Sequence, residues 1–248
     1  MSPSTDRDHY SYTVYQDPET ARTFDDRRFG GPIGELIASE QAQVVANFVG
    51  RVDGRSILDV GAGTGRAAIF LARSGAKVTA VDASEPMLDV ARQRAADQNL
   101  RVCFLIADAH ALEFGDRSFD VALSLRVLMH TPEWPRSVAE LCRVADQLVI
   151  VDYPSAASFA LIESLARRVM HVLGAKTEPY RVFRDRTMAR ELAKSGFSVR
   201  SIHRQFALPI ALHKAIGSRR FTRFVENLLD RLGVLRVFGS PVTLVAER

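Results

Sequence analysis

The sequence predicts an α/β protein with one mostly parallel β-sheet and helices on both of its faces. Strand patterns alternate with helix patterns through more than half of the 248 residues, which is typical of right-handed βαβ units. A cluster of glycines directly follows a short apolar strand pattern, a position where sheets of this kind bind ligands. The composition, 47% hydrophobic and 25% charged, is that of a globular chain able to bury a substantial core.

The alternation is regular up to residue 154 and then changes. Strand patterns fall at 56–60, 77–81, 101–106, 119–125 and 147–153. Helix patterns fall at 33–49, 66–73, 85–98, 135–144 and 156–173. Ser84 is an N-cap candidate for the helix at 85–98, with Pro86 in its first turn. Two later strand patterns, 198–206 and 242–246, predict a closing pair separated by a mostly helical insert over 209–240.

We expect a single domain over residues 1–248 with three parts. Residues 1–50 form an N-terminal cap and helix, and residues 51–154 form a ligand-binding core. Residues 155–248 form the other half, which carries the insert 209–240. The segment 1–30 is polar, with five aromatic residues, and has turn signals at Asp17-Pro18 and around Gly30.

Charge, cysteine content and hydropathy exclude several classes of protein. The net charge of +4 permits an anionic partner without requiring one. Cys103 and Cys142 are too few and too far apart for a disulfide framework or a zinc knuckle. No apolar signal-peptide region and no run of about 18 apolar residues occurs, so we expect a reduced, cytoplasmic location.

The glycine cluster follows Asp59 and contains Gly61, Gly63 and Gly65. Glycines in such a turn allow a ligand to approach the backbone closely, and both dinucleotides and S-adenosylmethionine bind at turns of this kind. The dinucleotide pattern requires a third glycine where this chain has Arg66. The Asp59 carboxylate suits the ammonium group of a methionine moiety and would repel a pyrophosphate. Both observations favour S-adenosylmethionine.

Four segments carry a resemblance to a known family. They read ILDVGAGTGRAAIFLA from Ile57, VTAVDASEPMLDVARQRA from Val78, ADAHALEF from Ala107 and SFDVALSLRVLMHTPEW from Ser118. In this order and spacing they resemble the class I S-adenosylmethionine-dependent methyltransferases. Within that family they are similar to the subgroup of ubiquinone, menaquinone and small-molecule methyltransferases. The resemblance implies a Rossmann-like sheet of seven strands, mostly parallel, with one antiparallel strand.

The resemblance also implies which residues bind the cofactor. Asp82, at the end of the second strand, would accept hydrogen bonds from both ribose hydroxyls, and Ala83 and Met87 would lie along the adenine. Asp108 would accept a hydrogen bond from the adenine amino group. The full predicted set is Asp59, Gly61, Ala62, Gly63, Gly65, Asp82, Ala83, Met87, Asp108, Ala109, His110 and Leu125.

Catalytic and acceptor-binding residues are less clearly marked. His130 follows the fourth strand and is the candidate general base, although a histidine there can equally fasten the loop. The residues expected to bind the acceptor are Arg126, Tyr153, Tyr180 and Arg184. No metal-ligand spacing occurs among the histidines, so no metal is expected.

The acceptor itself is constrained in two ways. No N/D-P-P-Y run follows the fourth strand, which disfavours amino-group methylation of nucleic-acid bases. Within the insert, Phe221, Phe224, Val225, Leu228, Leu232 and Leu235 form one apolar stripe, and Arg219, Arg220, Arg223, Arg231 and Arg236 occupy the remaining surface. Such a basic amphipathic helix is compatible with packing on the sheet, with a lid over the acceptor or with a membrane surface.

The sequence therefore predicts a methyltransferase that acts on a small or lipid-like acceptor at O, C or N by in-line transfer. Two alternatives stay open. A nicotinamide-dependent oxidoreductase is disfavoured by Asp59 and Arg66, and a regulatory protein that binds the cofactor without transferring methyl groups would share the same motifs. We also expect residues 1–30 and 209–240 together to cover the acceptor pocket.

Overall fold

The structure, a computed structural model, describes residues 14–172 and 180–248. Its seven strands are β1 (Ser56–Val60), β2 (Lys77–Asp82), β3 (Val102–Ile106), β4 (Phe119–Ser124), β5 (Ala145–Tyr153), β6 (Ser198–Arg204) and β7 (Val242–Glu247). They form one sheet in the order β3-β2-β1-β4-β5-β7-β6. β7 pairs antiparallel with β5 and with β6, while all other neighbours pair parallel. The predicted fold class, a mostly parallel sheet with one antiparallel strand, is confirmed.

Ten α-helices are found among the described residues. They are α1 (Pro18–Phe29), α2 (Gly31–Val49), α3 (Arg66–Arg73), α4 (Glu85–Asp97), α5 (Trp134–Val144), α6 (Ala160–Val172), α7 (Asp185–Lys194), α8 (Ile210–Ile216), α9 (Arg219–Arg231) and α10 (Val234–Phe238). The insert 209–240 is therefore helical, as predicted, but divided into three helices. A 3-10 turn at Val14–Gln16 precedes α1.

Helix α1 corrects the interpretation of Asp17-Pro18 as a loop turn. The Asp17 carboxylate accepts a hydrogen bond from the Thr20 amide, and Pro18 occupies the first helical position. An acidic N-cap followed by proline is a helix start, because the cap satisfies a free amide and proline has none to lose. Helix α4, which also has a capping side chain and a proline in its first turn, begins as predicted, with the Ser84 hydroxyl accepting from the Met87 amide.

The core lies on both faces of the sheet because successive strand residues point to opposite sides. In β1, Leu58 and Val60 pack in a cluster with α5 and α7, whereas Ile57 packs in a second cluster with α2 and α3. All three side chains are buried. Covering both faces leaves the carboxyl ends of the parallel strands as the open edge of the sheet, where ligands of such folds bind.

No helix among the described residues is both long enough and apolar enough to cross a membrane. The same part of the chain contains no group of three or more histidine, cysteine, aspartate or glutamate side chains arranged to hold a metal ion.

Candidate active site

A cavity of about 1060 Å³ opens at the carboxyl ends of β1, β2 and β4. One side is formed by the glycine loop after β1, the turn after β2 and the segment after β3. The rest of the lining comes from the loop after β4 and from residues of α1, α2, α6 and α8. The cavity is large enough for a nucleoside-sized cofactor and a second small molecule together.

The three glycines of the loop serve different purposes. A Cβ on Gly61 would lie 2.2 Å from Cγ2 of Val127, and a Cβ on Gly65 would lie 2.8 Å from Cβ of Ala91. These two positions therefore let the loop pack against the segment after β4 and against α4. Gly63 has a φ of +55°, and a Cβ there would meet only Met87 Cε at 3.8 Å, facing the cavity. Of the three, Gly61 and Gly63 line the cavity and Gly65 does not.

Two carboxylates flank this loop. Asp82 accepts hydrogen bonds from the Gly63 amide at 2.8 Å and from the Ser84 amide at 2.9 Å, which fixes both of its oxygens at the cavity wall. Asp59 is 2% exposed, and its Oδ2 has no hydrogen-bond partner among the described residues. The Asp59 pKa is raised to about 7. Burial is the main cause, and the negative charge of nearby Asp82 contributes to the increase. A buried carboxylate with a free oxygen is suited to a cationic ligand group.

The segment after β3 completes the same side of the cavity. Asp108 Oδ1 accepts a hydrogen bond from the His110 amide at 2.9 Å and lies 2.7 Å from Nδ1 of the buried His110 ring. The remaining predicted cofactor-binding residues, Ala62, Ala83, Met87, Ala109 and Leu125, also line the cavity. Among the predicted set, only Gly65 lies outside the lining.

Helix α1 closes over the glycine loop. Asp25 accepts a hydrogen bond from the Thr64 hydroxyl at 3.0 Å and forms an ion pair with Arg94 of α4. The Arg66 guanidinium lies 3.2 Å from the centre of the Phe29 ring. Tyr15, which precedes α1, contacts the turn after β2: its carbonyl accepts a hydrogen bond from the Ser84 hydroxyl at 2.5 Å. These links bring the cavity-lining residues of α1 over the cofactor side.

The predicted acceptor-binding residues divide into two groups. Arg126, Tyr180 and the candidate base His130 line the cavity. Tyr153 does not: its ring is buried against Phe183 and its hydroxyl donates to Asp185 at 2.9 Å. Arg184 is exposed at the start of α7 and is also absent from the lining. The structure therefore brings together three of these five residues.

Three polar residues outside the predicted set support the site, and of these Gln41 lines the cavity itself. Gln41 of α2 donates a hydrogen bond to the buried Asp152 carboxylate at 2.7 Å, and Asp152 also accepts from the Arg126 amide. Arg181, adjacent to Tyr180, donates to the Thr131 carbonyl at 2.9 Å and so fastens the loop that carries His130. No local sequence pattern links these partners, since Gln41 and Asp152 are 111 residues apart.

Helix α9 of the insert does not bury its apolar stripe, as a helix that packs on the sheet would. In α9 the buried residues are polar: Thr222 is 0% exposed and Glu226 is 7% exposed. Glu226 accepts hydrogen bonds from the Ala207 and Leu208 amides and lies 2.7 Å from Nε2 of the fully buried His213. The apolar stripe faces outward, with Phe224 69% and Leu232 68% exposed.

The same geometry limits the predicted covering of the acceptor pocket. From the insert and its end, Ile210, Ala211, Lys214 and Ser240 line the cavity, whereas no residue of α9 does. From the N-terminal segment, Tyr15 and residues of α1 line it. Residues 1–13, with the aromatic rings of Tyr10 and Tyr12, lie outside the described part of the chain.

Residues 57–147 match the family model described as a methyltransferase domain. The resemblance seen in the motifs is confirmed. Two curated relatives are the methyltransferase GfsG of Streptomyces halstedii, 32% identical over 146 residues, and the demethylmenaquinone methyltransferase of Clavibacter sepedonicus, 46% identical over 96 residues. The alignments cover 56% and 39% of this chain. They span 47% and 39% of the two relatives, less than half of their length.

Among solved structures, the chain resembles magnesium protoporphyrin IX methyltransferase (ChlM) from Synechocystis PCC 6803, crystallised with bound SAH. The TM-score is 0.66 at 22% identity, and the match covers 95% of this chain and 99% of that one. At this identity the likeness shows the fold, here over nearly the whole chain rather than the motif region alone.

Proposed function

We propose that this chain transfers a methyl group from S-adenosylmethionine to a small-molecule acceptor. The observation that carries the proposal is the Asp59 carboxylate, which is buried beside the glycine loop with one oxygen unpartnered among the described residues. A cationic ligand group at that point would satisfy the oxygen. A pyrophosphate at the glycine loop would instead meet the Asp59 carboxylate, which disfavours a nicotinamide dinucleotide.

The cavity residues fit each part of this cofactor. Asp59 would hold the methionine ammonium, Asp82 the ribose hydroxyls and Asp108 the adenine amino group, while Met87 and Leu125 supply apolar contact. Bound there, S-adenosylmethionine supplies an electrophilic methyl group on its sulfonium. The protein's contribution is then to orient the acceptor, to exclude water through α1 and α8, and to accept a proton where the acceptor must lose one.

His130 is the group proposed to accept that proton. It lines the cavity on the loop after β4, and Arg126 of the same loop also lines it. The loop is independently fastened by Arg181, whose amide and guanidinium donate to Met129 and Thr131. A loop already held in this way does not depend on His130 alone for its position, which favours a chemical role for the imidazole.

Calorimetry tests the cofactor directly. S-adenosylmethionine and S-adenosylhomocysteine should bind, and NAD and NADP should not. Asp82→Ala removes a charged acceptor and should weaken cofactor binding by more than about tenfold. Asp89→Ala removes an exposed carboxylate from α4 and should leave affinity unchanged. Preferential binding of a nicotinamide cofactor, or equal affinity of the Asp82 variant and the parent protein, would contradict the proposal.

Transfer activity is a separate question from binding. Incubation with methyl-labelled S-adenosylmethionine and an extract of the protein's own cells should yield a labelled small molecule, whose identification gives the acceptor. A protein that binds the cofactor but labels nothing would support the regulatory alternative.

We further propose that α9 and α10 contact an anionic membrane surface. The outward apolar residues Phe224, Leu228 and Leu232 lie beside the exposed Arg220 and Arg223. The only carboxylate of α9 that is exposed is Asp230, because Glu226 is buried with His213. Exposed apolar side chains among arginines are the arrangement by which helices bind at the interface of anionic lipids.

Vesicle co-sedimentation tests the membrane contact. The protein should bind phosphatidylglycerol vesicles at low salt and not phosphatidylcholine vesicles, since each interfacial arginine adds about 1 kcal/mol. Arg220→Glu/Arg223→Glu should abolish binding, whereas Arg51→Glu/Arg101→Glu, an equal charge change at exposed positions outside the insert, should reduce it only slightly. Absence of binding at low salt would refute the contact and leave the methyl-transfer proposal intact.

A further inference from the structure

Charged groups of both signs line the cavity. The carboxylates Asp59, Asp82 and Asp108 lie along the ends of β1, β2 and β3, on the cofactor side. Arg66, Arg126 and Lys214 line the cavity from α3, the loop after β4 and α8; we call these three residues the basic cluster. A cationic methyl donor fits the acidic side, which leaves the basic cluster facing the space available to the acceptor.

Arg126 is the member of the basic cluster whose guanidinium has no directly bonded partner among the described residues. Lys214 donates its Nζ to the Arg28 carbonyl at 2.8 Å, and Arg66 stacks on Phe29. The Arg126 side chain is half-buried, yet across residues 14–172 and 180–248 its guanidinium has no hydrogen bond or ion pair. Its backbone is fixed, because the amide donates to Asp152 and φ is +65°.

The nearby carboxylates are already committed to other groups. Asp152 is buried and accepts from Gln41 and from the Arg126 amide. Glu163 pairs with Arg167, and Glu35 pairs with Arg219. The charges of Arg126 and Arg66 do act on Asp152, where they oppose the rise of its pKa on burial, but one carboxylate offsets only part of the positive charge of three cations.

The pKa values of Arg66 and Lys214 show that both cations lie close enough to Arg126 to be repelled by it. Burial lowers the Arg66 pKa to about 10, and the Arg126 charge contributes to the lowering against the opposing charge of Asp25. Burial also lowers the Lys214 pKa, and the charges of Arg28 and Arg126 add to the effect. An anion placed among these groups would relieve the repulsion.

We propose that the basic cluster holds an acceptor that carries a carboxylate or phosphate group, with the Arg126 guanidinium as its bidentate partner. This inference rests on the proposed methyl transfer. A planar guanidinium with free donors binds both kinds of anion in paired hydrogen bonds. The anion is the group by which the acceptor is held and not the atom methylated, since hydrogen bonds from a guanidinium withdraw electron density from a nucleophile. Neutral analogues of the acceptor are rejected because they leave the guanidinium unpaired.

The test uses three probes built on one ring: 2-naphthoate, 2-naphthyl phosphate and the neutral 2-naphthamide. Each is titrated by calorimetry into protein saturated with S-adenosylhomocysteine. At least one anion should bind about tenfold to a hundredfold more tightly than the amide. The affinities of the two anions then show whether the basic cluster prefers a carboxylate or a phosphate. Arg126→Gln should remove that preference, and Lys214→Gln should reduce it. Arg184→Gln, at an exposed position outside the cavity, should leave it unchanged.

Failure of S-adenosylhomocysteine to bind the parent protein would reject the proposed function itself. Where it binds, equal affinity for anions and amide, no binding of either anion, or a preference that survives in Arg126→Gln would overturn the basic cluster as an anion site. Unchanged S-adenosylhomocysteine affinity in the Arg126 and Lys214 variants verifies that they are folded. Should Arg126→Gln lose that affinity, Lys214→Gln alone decides: a reduced preference supports the site and an unchanged one refutes it.

Discussion

Glu226 Oε1 lies 2.7 Å from Nε2 of His213, and both side chains are buried. The same carboxylate accepts hydrogen bonds from the Ala207 and Leu208 amides. Thr222 Oγ1 lies 3.1 Å from the other ring nitrogen of His213. This polar contact turns the buried side of α9 into its hydrophilic side, and so places the apolar stripe on the outside.

Glu226→Ala should destabilise the protein strongly. The substitution leaves two backbone amides and a buried imidazole without their acceptor, which costs about 3 kcal/mol of unfolding free energy. Urea denaturation followed by circular dichroism measures the loss. Asp230→Ala, one turn further along α9 at an exposed position, is the control and should change stability by less than about 0.5 kcal/mol. Equal stability of the two variants would show that the contact does not hold the insert.

Cofactor affinity should rise with pH through the Asp59 pKa of about 7. The ammonium group of S-adenosylhomocysteine requires an ionised carboxylate, so binding at pH 7.5 should be about fivefold to tenfold tighter than at pH 6. Calorimetry at both pH values measures this, and Asp59→Asn should bind weakly and with little pH dependence. A pH dependence that persists in Asp59→Asn would assign the titration to another group.

The same raised pKa makes a prediction about the free protein. Folding raises the Asp59 pKa from 3.8 to about 7, so the folded state binds more protons than the unfolded state between these values. The contribution of Asp59 to the unfolding free energy therefore falls as pH increases from about 4 to about 7. Denaturant titrations of the parent protein and Asp59→Asn should diverge over this range, with the variant relatively more stable at the higher pH. Parallel stability profiles would contradict it.

Gly61→Ala should destabilise the fold through a specific contact with Val127. The added Cβ meets Val127 Cγ2 at 2.2 Å and sits at a φ of +74°, for a combined loss of about 2–4 kcal/mol. Combining it with Val127→Ala should relieve the steric part, so the double variant loses less than the sum of the single variants. Gly115→Ala, where an added Cβ has open space, is the control. Strict additivity in denaturation experiments would show that the two residues do not press on each other.

Asp25→Ala should make the cofactor leave faster. The variant releases α1 from both Thr64 and Arg94, so the helix restrains the glycine loop less firmly. We expect the dissociation rate of S-adenosylhomocysteine to increase by about tenfold in stopped-flow fluorescence. The exposed neighbour Asp26, changed to Ala, should leave the rate unaltered. An unchanged rate in Asp25→Ala would mean that α1 stays in place without this contact.

His130→Ala distinguishes a base from a loop fastener once the acceptor has been identified by labelling. A base predicts a fall in turnover of about 10²–10⁴-fold, with cofactor affinity and melting temperature nearly unchanged. A fastener predicts a lower melting temperature and a modest kinetic loss. His203→Ala, at a half-buried position on β6, provides the comparison for a histidine outside the cavity.

The sequence could place Asp59, Asp82 and Asp108 at the cavity because each lies at or next to the carboxyl end of a strand within a recognisable motif. It could not place Tyr153. Successive residues of β5 point to opposite faces, so Asp152 reaches Gln41 and Arg126 while Tyr153 turns toward Asp185. A strand pattern with apolar residues on both faces does not reveal which neighbour faces the site.

The sequence also could not predict which side of α9 faces the protein interior. Its period of apolar residues predicts one apolar face, but the choice between inward and outward depends on Glu226 and on the distant His213. The closing of α1 depends on similar non-local partners, because Asp25 and Thr64 are 39 residues apart. Local patterns thus predicted the cofactor side of the cavity better than the acceptor side.

The position of β7 has a consequence for the order in which the chain is made. β7 lies between β5 and β6, yet Val242–Glu247 emerges from the ribosome after both of them. Throughout synthesis of the residues between Tyr153 and Val242, β5 has an unpaired edge, and β6 has no neighbour to join. The cofactor side of the sheet can assemble on the nascent chain, whereas the acceptor side must wait. The step that completes the cavity therefore follows assembly of the cofactor side, and a ligand present at that moment can act on how the protein finishes folding.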